Sequence, residues 1–308
     1  MTYKVTHITT YDYTDSVSLS HHLLRLAPRS LPHQRCLSHE VQVEPKPAVA
    51  KRHFDYFGNE VNFLTIEGAH RKLVIKSESQ VSLSSVAIPN PLETPGWERV
   101  REAARGQQIG EGLEASEFAF DSPLIKAGGD FAAYASISFP RNRPILEAVL
   151  DLTQRIHADF KFDPKATTLA TPLEDVLKNR RGVCQDFAQL EICCLRSLGL
   201  PARYVSGYLE TVPPPGKPRF LGADASHAWA SFYCHNIGWI AIDPTNDVMP
   251  ASRHITVAYG RDYSDVSPIR GVILGAGEHT LKVAVDVVAM EAVSREKSAD
   301  SLAATTPS

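Results

Sequence analysis

Three side chains in the second half of the chain are of the types that together perform nucleophilic acyl transfer: a thiol, an imidazole and a carboxylate. Cys184 lies in "RRGVCQDFAQL", directly after small or polar residues and at the start of a helical pattern. At a helix N-terminus the unpaired N–H groups favour an anion, and so favour the reactive thiolate. Gly182 removes side-chain bulk just before the thiol, which gives a substrate carbonyl room to approach. His227 lies in "SHAWASFY" and Asp243 ends "GWIAID". Alternation puts His227, Trp229, Ser231 and Tyr233 on one face, and Trp239, Ala241 and Asp243 on one face of the next strand. "CHNIG" supplies the turn between them. A turn centred on residue 235 makes His227 and Asp243 direct cross-strand partners, about 5 Å apart at Cβ. A register error of two leaves them diagonal, on the same face. A carboxylate facing a histidine fixes its tautomer and stabilises the imidazolium.

Other elements must hold these three groups. In the helix that starts at Cys184, Phe187, Leu190, Cys194 and Leu198 form an apolar stripe, and Gly199 with Pro201 ends it. Ile145, Val149, Leu152 and Ile156 mark one face of an earlier helix. In "TPLEDVLKNRRG", Thr171 reads as an N-cap, Pro172 as the first helical residue and Glu174 as the capping-box acid. "ARYVSGYLE", "SHAWASFY", "GWIAID" and the later "HTLKVAVDVVAM" read as strands. Helices followed by antiparallel strands give an α+β unit over 143–294. Residues 1–88 read as short strands separated by Pro, Gly and Asn signals, hence an antiparallel β-sandwich domain. Residues 89–142 read as a linker with one short helix from Trp97 and Gly-rich loops, and 295–308 as a disordered tail.

The 308 residues carry a net charge of -3 with 22% charged side chains, which gives no electrostatic case for nucleic acid or a membrane as partner. No stretch has the apolar length of a spanning helix or the h-region of a secretory signal. Five cysteines form no disulfide scaffold in a chain this long, so a reducing cytoplasm is the simplest location. Cys193 and Cys194 read as core residues, and Cys36 and Cys234 as structural. No cofactor or metal is expected: Cys184, Cys193, Cys194, His227, Cys234 and His235 lack metal-motif spacing, and "HH" at His21 and His22 is a weak signal. Trp229 and Trp239 read as core or cleft walls. Asp224 reads as a loop cap that could touch the site, and Arg203 and Tyr208 as strand residues that could support it.

"RRGVCQDFAQLEICCLRSLGLPARYVSGYLE", "DASHAWASFY" and "GWIAIDPTND" resemble the three signature blocks of the transglutaminase-like superfamily, in its bacterial branch. "THITTYDY", "HHLLRLAPR" and "DYFGNEVNF" resemble the β-rich domain that precedes the core there, and "YGRDYSDVSPIRGV" fits the segment that follows it. The resemblance implies a papain/transglutaminase-like core in which Cys184 is nucleophile, His227 general base and acid, and Asp243 the orienting carboxylate. It implies an oxyanion hole from the Cys184 N–H and a second donor, with Gln185 or a residue near "HADFKFDP" as candidates. The expected partner is a peptide or amide substrate; oligomeric state is not legible. Hydrolysis, as a cysteine peptidase or amidase, is preferred to transglutaminase transfer onto an amine. A non-catalytic peptide-binding module is the third reading, disfavoured because all three groups are intact.

Overall fold

Two strands far longer than the sequence pattern suggests carry the first sheet. The computed structural model describes residues 1–106, 111–211, 226–275 and 277–290. β1 (Thr2–Leu24), β2 (Gln34–Glu44), β3 (Val49–Phe54) and β4 (Glu60–Leu83) open the chain. β1 and β4 pair antiparallel from Thr2 opposite Ser82 to Leu24 opposite Asn62, with register shifts between Asp12 and Leu19. Gly68, at φ 100°, sits at that irregularity in a conformation that side-chain-bearing residues rarely adopt. "NEVNFLTIEG" and "RKLVIKSESQVSLSS" are therefore one continuous strand, bent at a bulge rather than ended by its glycine. Leu24, Leu64 and Ile66 from one arm share a core with Leu73 and Ile75 from the other. The expected sandwich of short strands is thus built from long strands linked in one bent sheet whose two arms share a core.

The segment expected as a linker folds into the core instead. α1 (Trp97–Gly106), α2 (Glu111–Ser116) and α3 (Gly129–Ser136) lie in it. Val100, Ile125, Phe131 and Ala135 join the main hydrophobic cluster. Next come α4 (Ile145–Asp159), β5 (Lys161–Phe162), α5 (Leu173–Asn179), β6 (Arg181–Gly182) and α6 (Cys184–Ser197). On α4, Ile145, Val149, Leu152 and Ile156 are all fully buried, as their spacing predicts. α6 differs from its amphipathic reading: every residue from Asp186 to Arg196 is buried, so it is the central helix of the fold. Thr171 does not cap α5; its Oγ1 accepts from the Thr168 N–H, and Pro172 stands at the cap without a side-chain bond.

β7 (Ala202–Leu209), β8 (Ser226–Cys234), β9 (Gly238–Ile242) and β10 (His254–Gly260) form the second sheet, in the order β10-β7-β8-β9. α7 (Tyr263–Val266) leads to β11 (Ile269–Leu274) and β12 (His279–Met290). These last two strands, assigned from sequence to the second half, hydrogen-bond to β1 and complete the first sheet. Such pairing spans nearly the whole chain, and no local pattern announces it.

β10 is an edge strand, and unpaired edge groups need partners. Gln34 supplies both functions to Thr256, donating from Nε2 to its carbonyl at 2.7 Å and accepting from its N–H at 2.8 Å. Asn59 does the same for Tyr259, at 2.7 and 2.8 Å. Two side-chain amides of the first sheet, one at the start of β2 and one in the loop before β4, thereby stand in for a neighbouring strand and fix that unit against the second sheet.

Candidate active site

Cys184 is the first residue of α6, following Val183 in extended conformation. The helix start is held by Asp186, whose Oδ2 accepts from the Val183 N–H at 2.8 Å and from Thr167 Oγ1 at 2.6 Å. Gly182 serves this cap. A Cβ there would lie 2.7 Å from Asp186 Oδ2 and 2.8 Å from its Cβ, so the space read as room for substrate is filled by the capping carboxyl. β5 and β6 pair Lys161 with Arg181 and Phe162 with Gly182, which brings "HADFKFDP" beside the helix start. The Lys161 and Asp163 N–H groups are spent on the Arg180 and Gly182 carbonyls. Phe160 and Phe162 pack their rings on Phe187. Gln185, beside the half-exposed Cys184, is also half-exposed.

The β8–β9 hairpin turns one residue later than expected. Tyr233 pairs with Trp239 and Cys234 with Gly238, a register centred on residue 236. Gly238, at φ 93°, closes a three-residue turn and takes a paired position, which shifts the register. His227 and Asp243 are therefore diagonal rather than opposite. They still meet: His227 Nε2 is 2.7 Å from Asp243 Oδ2. The imidazole also interacts with the Cys184 side chain.

Asp243 has no exposed surface and is saturated with donors. Its Oδ1 accepts from the Thr245 and Asn246 N–H groups, the Asx turn expected of an aspartate before proline. Its Oδ2 accepts from His227, from Asn246 Nδ2 at 2.7 Å and from His254 Nε2 at 2.9 Å. The turn is tied to α4, where His157 Nδ1 donates to the Thr245 carbonyl. Burial alone would raise the Asp243 carboxyl; the hydrogen bonds from His227 and His254 instead hold it well below the usual carboxylate range. Burial likewise works against a charged His227, but its bonds with Asp243 and then Cys184 outweigh that and push it up to about 10. For His254 burial wins over the same carboxylate, and its pKa falls below the ordinary histidine value. The same carboxylate thus favours the charged form of His227, while burial favours the neutral form of His254.

His227 Nε2, Asp243 Oδ2 and His254 Nε2 lie within 4.8 Å of one another, close enough to invite a metal reading. Their donor-to-acceptor pairing at 2.7 and 2.9 Å already satisfies all three. His254 and Asn246 were not singled out in the sequence: His254 begins a strand outside the signature blocks, and Asn246, within "GWIAIDPTND", follows a proline turn. Trp229 is 1% exposed, stacks on His227 with centroids 5.9 Å apart and sets its edge against His254. Gly207, paired with His227, leaves the space that Trp229 fills. Tyr208 points to the opposite face from Gly207, where its hydroxyl bonds His7 Nδ1 of β1 at 3.0 Å. Asp224 lies outside the described residues. All five cysteines are free, and Cys193, Cys194 and Cys234 are buried.

A helix presenting a thiol at its N-terminus against an antiparallel sheet that presents histidine and aspartate is the core of a papain/transglutaminase-like α+β fold. The chain belongs to the transglutaminase-like superfamily, whose sequence profile matches residues 135–244, and residues 3–82 match the bacterial transglutaminase-like N-terminal region. An uncharacterized protein of Mycobacterium tuberculosis is 42% identical over 299 residues, covering 94% of this chain and 93% of that one. Another from Mycobacterium leprae is 31% identical over 287 residues, covering 92% and 97%. Among solved structures, one from Cytophaga hutchinsonii named as a putative cysteine protease superposes with a TM-score of 0.72 at 20% identity, covering 95% of this chain and 91% of that one. That likeness is one of fold.

Proposed function

We propose that this protein cleaves an amide or peptide bond with Cys184 as nucleophile, His227 as acid and base, and Asp243 as the carboxylate that orients His227. The observation that carries the reading is the 2.7 Å bond from His227 Nε2 to a fully buried Asp243, with the same imidazole interacting with the thiol at the start of α6. Cys184 attacks as a thiolate while His227 carries the proton. The thiolate attacks the substrate carbonyl carbon, forming the C–S bond and an oxyanion. That oxyanion would take the Cys184 N–H and a donor from Gln185, both at the unpaired helix start. His227 gives its proton to the departing amine as the C–N bond breaks, leaving a thioester. Water then attacks, His227 accepts its proton, the C–S bond breaks and the acid leaves. Trp229 keeps bulk water from the His227–Asp243 pair.

Alkylation with iodoacetamide at pH 6, followed by peptide mapping, tests the activated thiol. Cys184 should label first, because Cys193 and Cys194 are buried with their thiols pushed up by that burial. Cys36 is half-buried and its thiol is raised by burial as well. Equal labelling of Cys36 and Cys184 sinks the reading. Incubation with dimethylcasein and a labelled primary amine then separates acceptors: amine incorporation would move the assignment to transglutaminase transfer.

A further inference from the structure

A guanidinium buried in a protein is ordinarily supplied with acceptors, and this chain shows one such case. Arg196 on α6 spends all three nitrogens on the Phe118, Ala202 and Arg261 carbonyls and the Ser122 hydroxyl. Arg203 on β7 is treated differently. Its guanidinium carbon lies 4.0 Å from the Trp239 ring centre and 3.6 Å from that of Tyr259, yet its Nε is sealed from solvent with no hydrogen-bond partner. Among the described residues no carboxylate pairs with it. Arg29, from the loop after β1, stacks on the same Tyr259 ring at 4.5 Å, and its Nε is also buried and unpartnered.

Ring faces attract a cation but accept none of the guanidinium's five in-plane N–H bonds. Arg29 also donates through Nη1 to the Phe57 carbonyl and Asn59 Oδ1, but two cations near each other on one cavity still favour an anion between their outer nitrogens. Burial above all, with the neighbouring Arg29 charge, pushes the Arg203 guanidinium down to about 10. Both arginines face one cavity of about 430 Å³ between the first sheet's loops and the second sheet. That volume exceeds what a bare inorganic ion fills and falls in the range of small-molecule sites. Phe57, Phe118, Trp239 and Tyr259 give it aromatic walls, while the exposed Glu114 and Glu117 stand in its lining. Those two carboxylates disfavour a ligand with more than one negative charge.

We propose that this cavity is a binding site for a small organic monocarboxylate, whose carboxylate meets Arg203 and Arg29 and whose apolar body lies against the aromatic walls. The site is separate from the triad. Arg203 pairs with Ser231, four residues along β8 from His227, roughly 13 Å at strand spacing. The ligand would bind across the junction of the two units and hold them together.

Calorimetric titration at fixed ionic strength, with phenylacetate and inorganic phosphate as probes, tests it. Phenylacetate should bind the full chain with Kd of about 1 mM or below, and should bind Cys184→Ala equally. Arg203→Met should weaken binding at least ~10-fold, as expected for loss of a bidentate charge-assisted contact. Should Arg203→Met fail to fold by circular dichroism, Arg29→Met carries the same test. No phenylacetate binding to the wild-type chain, tighter binding of phosphate than of phenylacetate, or undiminished binding in a folded arginine variant each overturns the proposal.

Discussion

His227 and His254 both aim Nε2 at a single atom, Oδ2 of Asp243, from 2.7 and 2.9 Å. One carboxylate oxygen thus holds two imidazoles of opposite character, since His227 is pushed up and His254 down. The neutral ring uses the lone-pair direction that a second charged group would otherwise contest, and fixes where Asp243 points. His254→Ala should slow Cys184 alkylation at pH 6 about 10-fold, the worth of one hydrogen bond to a charged group. His254→Gln, which keeps a donor within reach, should recover most of the rate. A purely packing role would give the two variants equal losses.

Asp243→Asn tests the electrostatics directly. Burial opposes the His227 charge, and Asp243 is the larger of the two supports against it. With the carboxylate gone, the imidazole should titrate well below the wild-type value near 10, as read from its ring-proton shift by NMR. The sign for stability follows from the same shift. A raised histidine contributes fully below about 6.5, and its contribution is lost as pH rises through about 10. The stability gap between wild type and Asp243→Asn should therefore be widest just below about pH 6.5 and close as pH rises toward 10.

The two amide brackets on β10 make a prediction about assembly rather than chemistry. Gln34→Ala removes both hydrogen bonds to Thr256 and leaves a buried N–H unmet. The expected cost is about 2–3 kcal/mol by urea unfolding. Gln34→Glu should be no better, because a carboxylate cannot donate to the Thr256 carbonyl. A cost below about 0.5 kcal/mol would mean that the junction is held by other contacts.

Glu191 sits on α6 with no exposed surface. Its Oε1 accepts from Thr153 Oγ1 at 2.6 Å, while Oε2 has no partner. Burial pushes its carboxyl up to about 8. The folded value exceeds the unfolded one, so stability is full below about 4.5 and declines as pH rises through about 8. Glu191→Gln should flatten the stability profile between those limits, by on the order of 3 kcal/mol at pH 9. Parallel profiles for the two proteins would contradict the buried, neutral carboxyl.

The parts of the fold written in local periods were legible in the sequence. The α4 stripe, the start of α6 at Cys184, its end before Gly199 and the strands bearing His227 and Asp243 all follow from spacing and breakers. The hairpin register was missed by one turn position because Gly238, with its left-handed backbone, is a paired residue and not a turn residue. The meeting of His227 and Asp243 survived, since a shift of two keeps the face. What the pattern could not carry was contact between distant segments. His254 reaches Asp243 from another strand, Gln34 brackets Thr256 from the other unit, and Arg29 and Arg203 come together on one tyrosine. Gly182 was read as space for a ligand because sequence shows the missing side chain but not the Asp186 that fills its place.

The return of β11 and β12 to β1 has a consequence for how the chain is made. During synthesis from the N-terminus, β1 and β4 can pair as soon as they emerge, but one side of β1 has no partner until the last described strands appear. That side is a long open edge carrying Val5, His7 and Thr9, and open edges template wrong pairings. The entire thiol-bearing half must be synthesised during that interval. The first sheet is begun first and finished last, so its completion reports that the helix and sheet carrying Cys184, His227 and Asp243 have already been delivered.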